Sequence, residues 1–237
     1  MDLGIDLTCI AALRGIAGRF DPDPIEVALI ATRAGADAIG VNLKLDRGSL
    51  TERDCHLLRD VVKVPFWLKI STSTDVVSFA VSLKPSTVVL LPERREDIAL
   101  EDGIDVILNQ TQVKRAQAML REAGIQVVVF INPSVDQVKH CHKLDVAAVE
   151  LNTYRFSETG KESDFTALHD CARLARKLGQ HVSAGRGLTR AALRRISTIP
   201  EIDIAHVGRC FAARAILEGA GRATAWLKAA VEKGGKA

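Results

Sequence analysis

Val182-Ser183-Ala184-Gly185-Arg186-Gly187-Leu188-Thr189 reads as the end of a buried strand, a glycine-flanked arginine and a helix start at Thr189. The arrangement returns in Ile204-Ala205-His206-Val207-Gly208-Arg209. Both set Gly beside Arg at the C-terminal end of a short apolar strand. Glycine lets a ligand oxygen approach backbone N–H groups, and the helix N-terminus that follows favours an anion.

Working outward, the same alternation fills the chain. Strands are expected at Leu3–Leu7, Ala38–Leu43, Pro65–Ile70, Thr87–Leu91, Gln126–Ile131, Val146–Leu151, His181–Ala184 and Asp203–Val207. They are short and rich in Val, Ile and Leu, as suits parallel strands covered on both faces. Helices are expected between them. One runs from Pro22 and Pro24 to Gly35, and one opens at Thr51-Glu52-Arg53-Asp54, a cap with an acidic first turn. Others start at Ser73 or Thr74 and stop before Pro85, span Thr111–Ala123, and begin at Ser134 or Asp136. Phe165–Leu178, Leu188–Ser197 and a long terminal helix to about Lys233 complete the set, before a frayed Gly234–Ala237 tail. Residues 8–21 receive no element, and Ser157–Ser163 reads as a polar loop. The charged stretch from Pro92 to Gly103 exceeds the usual connection of about 4–6 residues and reads as a functional loop.

About eight strand–helix units without a linker predict a single-domain (β/α)8 barrel. A doubly wound open sheet is the alternative, but no GxGxxG follows strand one. The 237 residues are 47% hydrophobic, enough for one large core. A net charge of +3 argues against nucleic-acid binding driven by bulk charge. Five cysteines at 9, 55, 141, 171 and 210, with no CxxC, fit reduced thiols in a cytoplasmic protein. No apolar run approaches the ~20 residues of a membrane span.

Barrel chemistry sits at the C-terminal strand ends. Those positions are Asp6, Thr8 and Cys9; Asn42 and Lys44; Lys69; Glu93; Asn132; Glu150 and Asn152; Ser183 and Arg186; and His206 and Arg209. Four cations in one mouth would focus the field on a small anionic ligand, a phosphate or carboxylate. Lys69 interrupts the apolar Pro65–Ile70 and is costly to bury unpaired. It is expected either as a lysine of lowered pKa, acting as base or Schiff-base nucleophile, or as an ion-pair partner of Glu150 or Asp6. Arg186 and Arg209 are candidate phosphate ligands, and His206 is a candidate acid or base. Cys9 has no adjacent His to activate it and reads as a small buried thiol. His140-Cys141-His142 would not share a helix face, so no metal site is expected there.

The chain resembles the pyridoxine 5'-phosphate synthases over nearly its whole length. The motifs that carry this include Ile10–Arg14, Pro22-Asp23-Pro24, Ala34–Asp37, Thr51–Asp54 and Leu91–Arg95. Gly103–Val106, Ala123–Val127, Val149-Glu150, Ala184-Gly185 with Gly187-Leu188-Thr189, and Gly208 extend them. The resemblance implies a TIM barrel, assembled as a homo-octamer. It implies condensation of 1-deoxy-D-xylulose 5-phosphate with 3-amino-2-oxopropyl phosphate, without metal or organic cofactor.

By the same resemblance, Asn42 stands where the family has a catalytic His, Lys69 where it has a catalytic Glu, and Arg186 where it has a third catalytic His. Asp6 replaces an Asn, Thr8-Cys9 an Asp-His pair, Lys44 an Arg, and Arg209 the His of a Gly-His pair. Gly187 and Gly208 match. General acid–base steps contribute about 10²–10⁴-fold each, so three replacements should nearly abolish the parent reaction. Three readings follow: a paralogue with new condensation or cyclisation chemistry on an anionic carbonyl compound, a synthase working through other groups, or a non-catalytic binding or partner subunit.

Overall fold

The strands form where branched aliphatics alternate between two buried faces, and they close on themselves. A computed structural model of the chain describes residues 1–17, 21–43, 50–92 and 102–235. Its strands are β1 (Asp2–Asp6), β2 (Ala38–Asn42), β3 (Phe66–Ser71), β4 (Thr87–Leu91), β5 (Gln126–Ile131), β6 (Ala148–Asn152), β7 (His181–Gly185) and β8 (Ile204–Val207). Each pairs in parallel with the next, and β8 returns to β1. This is the closed (β/α)8 barrel expected from the sequence. The open-sheet alternative fails because Asp2 to Ile5 pair with Ile204 to Val207, leaving no edge.

The helices are α1 (Thr8–Ala17), α2 (Pro24–Arg33), α3 (Glu52–Val61), α4 (Thr74–Leu83), α5 (Gln110–Glu122), α6 (Val135–Lys143), α7 (Tyr154–Thr159), α8 (Glu162–Lys177), α9 (Arg190–Ile196), α10 (Arg209–Glu218) and α11 (Ala220–Gly234). Their starts carry local signals. Asp23 accepts from the Ile25 N–H with Pro24 in the first turn, and Thr51 and Asp54 form a reciprocal capping box. Thr189 accepts from the Ala192 N–H, as its place in the opening stretch predicts.

Four expectations need correction. Residues 8–17 are a helix, and its Ile10 and Ala11 are buried, so Thr8 and Cys9 open α1 rather than lie in a loop. Within the expected polar loop, α7 forms around buried Phe156 and is closed by Gly160 at φ +63°. The long terminal helix is two helices, broken at Gly219, whose φ of +83° and ψ of 154° no helix contains. Gly234 is not frayed: it ends α11 against Ser197, where a Cβ would lie 1.7 Å from the Ser197 hydroxyl.

Strand alternation sends side chains to two cores. Leu68, Ile70, Val88, Leu90, Val129, Val149 and Leu151 face the helices. Ala38, Trp67, Val89, Val128, Phe130, Ala148 and Ile204 fill the barrel interior. The interior parity continues upward through Asn42, Lys69, Glu150 and His206, which is how an apolar barrel delivers polar groups to its C-terminal mouth.

Candidate active site

The mouth holds a cavity of about 230 Å³ lined by residues from β1 to β6, from β8 and from the segments that follow β1, β7 and β8. Below the roughly 300–1,000 Å³ of drug-sized pockets, it suits a small metabolite. Asp6, Thr8, Cys9, Asn42, Lys69, Glu150, Arg186, Gly187, His206, Gly208 and Arg209 all border it, with Leu91 and Phe130 as apolar walls. Lys44 and Glu93, also expected at the mouth, lie outside the described residues.

Lys69 and Glu150 form the floor. They stand on β3 and β6, across the barrel, yet Lys69 Nζ donates to Glu150 Oε1 at 2.9 Å and lies 3.3 Å from Oε2. Asp6 Oδ2 is 3.7 Å from the same nitrogen. Lys69 is 7% exposed and Glu150 1%. Burial pushes the Lys69 pKa down, but the charges of Glu150 and Asp6 outweigh it, and the net direction is up. The expected lowered-pKa lysine is therefore corrected: two carboxylates hold the ammonium. The ion-pair alternative describes the geometry, and the pair still borders open space.

His206 lies at the bottom of the same space. It is 2% exposed, its ring 4.4 Å from the Trp67 ring at a 52° tilt. Burial, then the Lys69 cation, holds its pKa well below 6.5. Neither ring nitrogen has a hydrogen-bond partner among the described residues. The site thus contains a neutral imidazole, able to donate and accept one hydrogen bond each. Its room is made by glycine: a Cβ on Gly4 would sit 2.4 Å from His206 Nδ1. Gly185 does the same for Glu150, at 2.9 Å from Oε1.

Asp6 and Thr8 set the β1 end. Asp6 Oδ1 accepts from the Thr8 N–H at 2.9 Å, and Thr8 Oγ1 accepts from the Asn42 N–H at 2.9 Å. Cys9 is half-buried and its thiol is pushed up by burial and Asp6, against the pull of Arg209 and Arg186, so it rests as a thiol. On α6, His140 is half-buried, Cys141 buried and His142 exposed, so the three point apart.

Arg186 occupies left-handed backbone at φ +79°, followed by Gly187 at φ +75°. Arg209 begins α10 and sits 5.5 Å over the Tyr154 ring. Two residues of the site escaped sequence reasoning. Thr153 is fully buried, and its Oγ1 lies 2.9 Å from the Gly185 carbonyl oxygen and 2.7 Å from that of Arg186. Tyr154 supports Arg209 and packs against Gly187. Their signal was the polar Asn152-Thr153-Tyr154 run at the end of a buried strand.

Comparison with known proteins places this arrangement. The family model described as pyridoxal phosphate biosynthesis protein PdxJ matches residues 3–233. A pyridoxine 5'-phosphate synthase of Desulforapulum autotrophicum is 36% identical over 225 residues, covering 93% of this chain and 94% of that protein. Another, from Trichodesmium erythraeum, is 32% identical over 233 residues, covering 97% of each. Among solved structures, KGPDC from Streptococcus mutans superposes with a TM-score of 0.68 at 12% identity, covering 98% of this chain and 97% of that one. A thiamine phosphate pyrophosphorylase of Pyrococcus furiosus gives 0.66 at 16%, covering 98% and 96%. These last two likenesses speak for the barrel alone. With a match from the first strand into the last helix, and relatives above 30% identity over nearly their full length, the chain belongs to the PdxJ family.

Proposed function

We propose that this chain is a pyridoxine 5'-phosphate synthase-like enzyme acting on a small phosphorylated or otherwise anionic carbonyl compound, by a condensation or cyclisation distinct from that of its named relatives. The observation that carries this is the Lys69–Glu150 pair on the cavity floor beneath Arg186 and Arg209. The resemblance puts a carboxylate at position 69 and imidazoles at 42 and 186. Here Asn42 and Arg186 shuttle no protons near neutral pH, and Lys69 inverts the local charge. The acid–base groups of the parent reaction are replaced together, while the fold and mouth are retained.

The residues present support one reaction class. Arg186, Arg209 and the loop backbone at Gly187 and Gly208 hold the anionic group. The Lys69 ammonium donates to the carbonyl oxygen. A proton leaves the adjacent carbon for the Glu150 carboxylate, and the resulting enolate oxygen is neutralised by Lys69. The enolate carbon then attacks a second carbonyl, whose oxygen takes back the proton held by Glu150. An imine at Lys69 is the weaker version, because the amine must first lose the proton its neighbours hold in place. These steps use side chains alone, without an organic cofactor. Assembly as a homo-oligomer follows from the resemblance; Ile16, Ile216 and Leu217 are large, exposed and apolar on α1 and α10.

The test is direct. Purified protein, given 1-deoxy-D-xylulose 5-phosphate and 3-amino-2-oxopropyl phosphate, should form no pyridoxine 5'-phosphate; turnover comparable to a named relative sinks the proposal. Solvent deuterium should exchange into the α-carbon of a phosphorylated ketone in the native enzyme and not in Glu150→Gln. No exchange from any small anionic carbonyl compound favours the binding-subunit reading.

A further inference from the structure

We infer that Thr153 is a positioning residue: its hydroxyl holds the Arg186 peptide so that the Gly187 N–H and the Arg186 side chain are presented to an anion. The inference rests on the proposed anion-binding role of the β7 loop and assigns the device that shapes it.

Thr153 follows β6 and is 0% exposed. Its backbone N–H already donates to the Gly185 carbonyl at 2.8 Å. Its hydroxyl carries one proton, and the shorter of its two contacts is the Arg186 carbonyl at 2.7 Å, against 2.9 Å to Gly185. Gly185 O already accepts from the N–H and Arg186 O is the nearer acceptor, so the hydroxyl proton is assigned to Arg186 O. That carbonyl belongs to a residue at φ +79°, a conformation unfavourable for any side chain but glycine. The hydroxyl therefore offsets a strained backbone, and such strain collects at functional turns.

The consequence is geometric. In a trans peptide the N–H points opposite to the preceding carbonyl. With Arg186 O turned onto buried Thr153, the Gly187 N–H points away from it, at a residue that lines the cavity. Gly187 fits only as glycine, since its φ is +75° and a Cβ would lie 2.9 Å from the Tyr154 ring. Tyr154, the next residue after Thr153, carries the Arg209 guanidinium on its ring. One short segment after β6 thus steadies both arginine-bearing loops.

The experiment uses the full chain, isotope-labelled, titrated with inorganic phosphate and followed by amide NMR. In the wild type, the Gly187 amide should shift saturably. Thr153→Val keeps the shape and removes the hydroxyl, and should weaken phosphate binding about five- to tenfold. Thr153→Ser restores the hydroxyl and should bind within about twofold of wild type. Equal affinity in wild type and Thr153→Val, or equal loss in Thr153→Ser and Thr153→Val, overturns the assignment. A wild type that shows no saturable response in either arginine loop overturns the anion-site reading itself, and the inference falls with it. If Thr153→Val does not fold, the wild-type Thr153 hydroxyl proton decides. Slow solvent exchange, slowed further by phosphate, supports the clamp, and fast exchange removes it.

Discussion

Replacing Lys69 by Met would strip the ammonium from a carboxylate that is 1% exposed. Two unit charges 2.9 Å apart attract by roughly 6 kcal/mol at an effective dielectric of about 20. Desolvation of both groups cancels much of that, so the pair itself adds little net stability. Removing one partner is different, because the other stays buried without compensation, at about 3–5 kcal/mol. Lys69→Met should fall at the upper end, since Lys69 is the ion-pair partner of Glu150 among the described residues. Glu150→Leu should fall at the lower end, because Asp6 remains 3.7 Å from Lys69. The double variant Lys69→Met/Glu150→Leu replaces the pair by apolar groups of similar size and should recover most of the loss, ending within about 2 kcal/mol of wild type. Urea unfolding of the four proteins at pH 7 gives the coupling energy. Additive losses, with the double variant the least stable, would refute the argument that these two charges meet inside the barrel.

Three further outcomes follow from the same geometry. His206 titrates well below its ordinary 6.5 in the folded state, so the unfolded chain binds its proton first as pH falls. The stability from neutral His206 is present above about pH 6.5 and lost below it, by up to roughly 1.4 kcal/mol per pH unit. His206→Asn should flatten the decline below about pH 6.5, and an unchanged slope in urea titrations would count against it. Gly4→Ala puts a Cβ 2.4 Å from the His206 ring and should cost about 1–3 kcal/mol. Adding His206→Ala should relieve that clash, and a Gly4→Ala protein with the wild-type melting temperature would contradict the packing. Cys55 and Cys141 are pushed by burial to about 12. They should resist a thiol reagent at pH 8 until urea unfolds the protein, and rapid labelling of either in the native state would disprove their inertness.

Much of the barrel was legible because its signals are local. Val127 to Ile131 or Thr87 to Leu91 can be little other than buried strands, and the capping pattern at Thr51 and Asp54 announces α3 wherever it occurs. What escaped was local structure whose stabilising partner is remote. Residues 8–17 form a helix against the barrel, with Arg14 held by Asp54 at 2.5 Å, forty residues away. Short α7 depends on burying Phe156 against Phe165 of the next helix. Strand parity sent Lys69, Glu150 and His206 inward, but parity cannot say which of them meet.

The sequence alone determined the alternation of eight strands with helices and the strand ends where polar groups collect. These follow from hydrophobic period, glycine and proline placement, and residue chemistry, none of which requires knowing a neighbour in space. Closure of the barrel decided the rest. It brought Lys69 and Glu150, 81 residues apart in the chain, to 2.9 Å and so reversed the expected direction of the lysine's pKa. It set His206 beneath them with no hydrogen-bond partner among the described residues, and placed Thr153 where its hydroxyl meets the Arg186 carbonyl. A pKa and a backbone clamp belong to the field and contacts around a group, and those exist only once the sheet has closed.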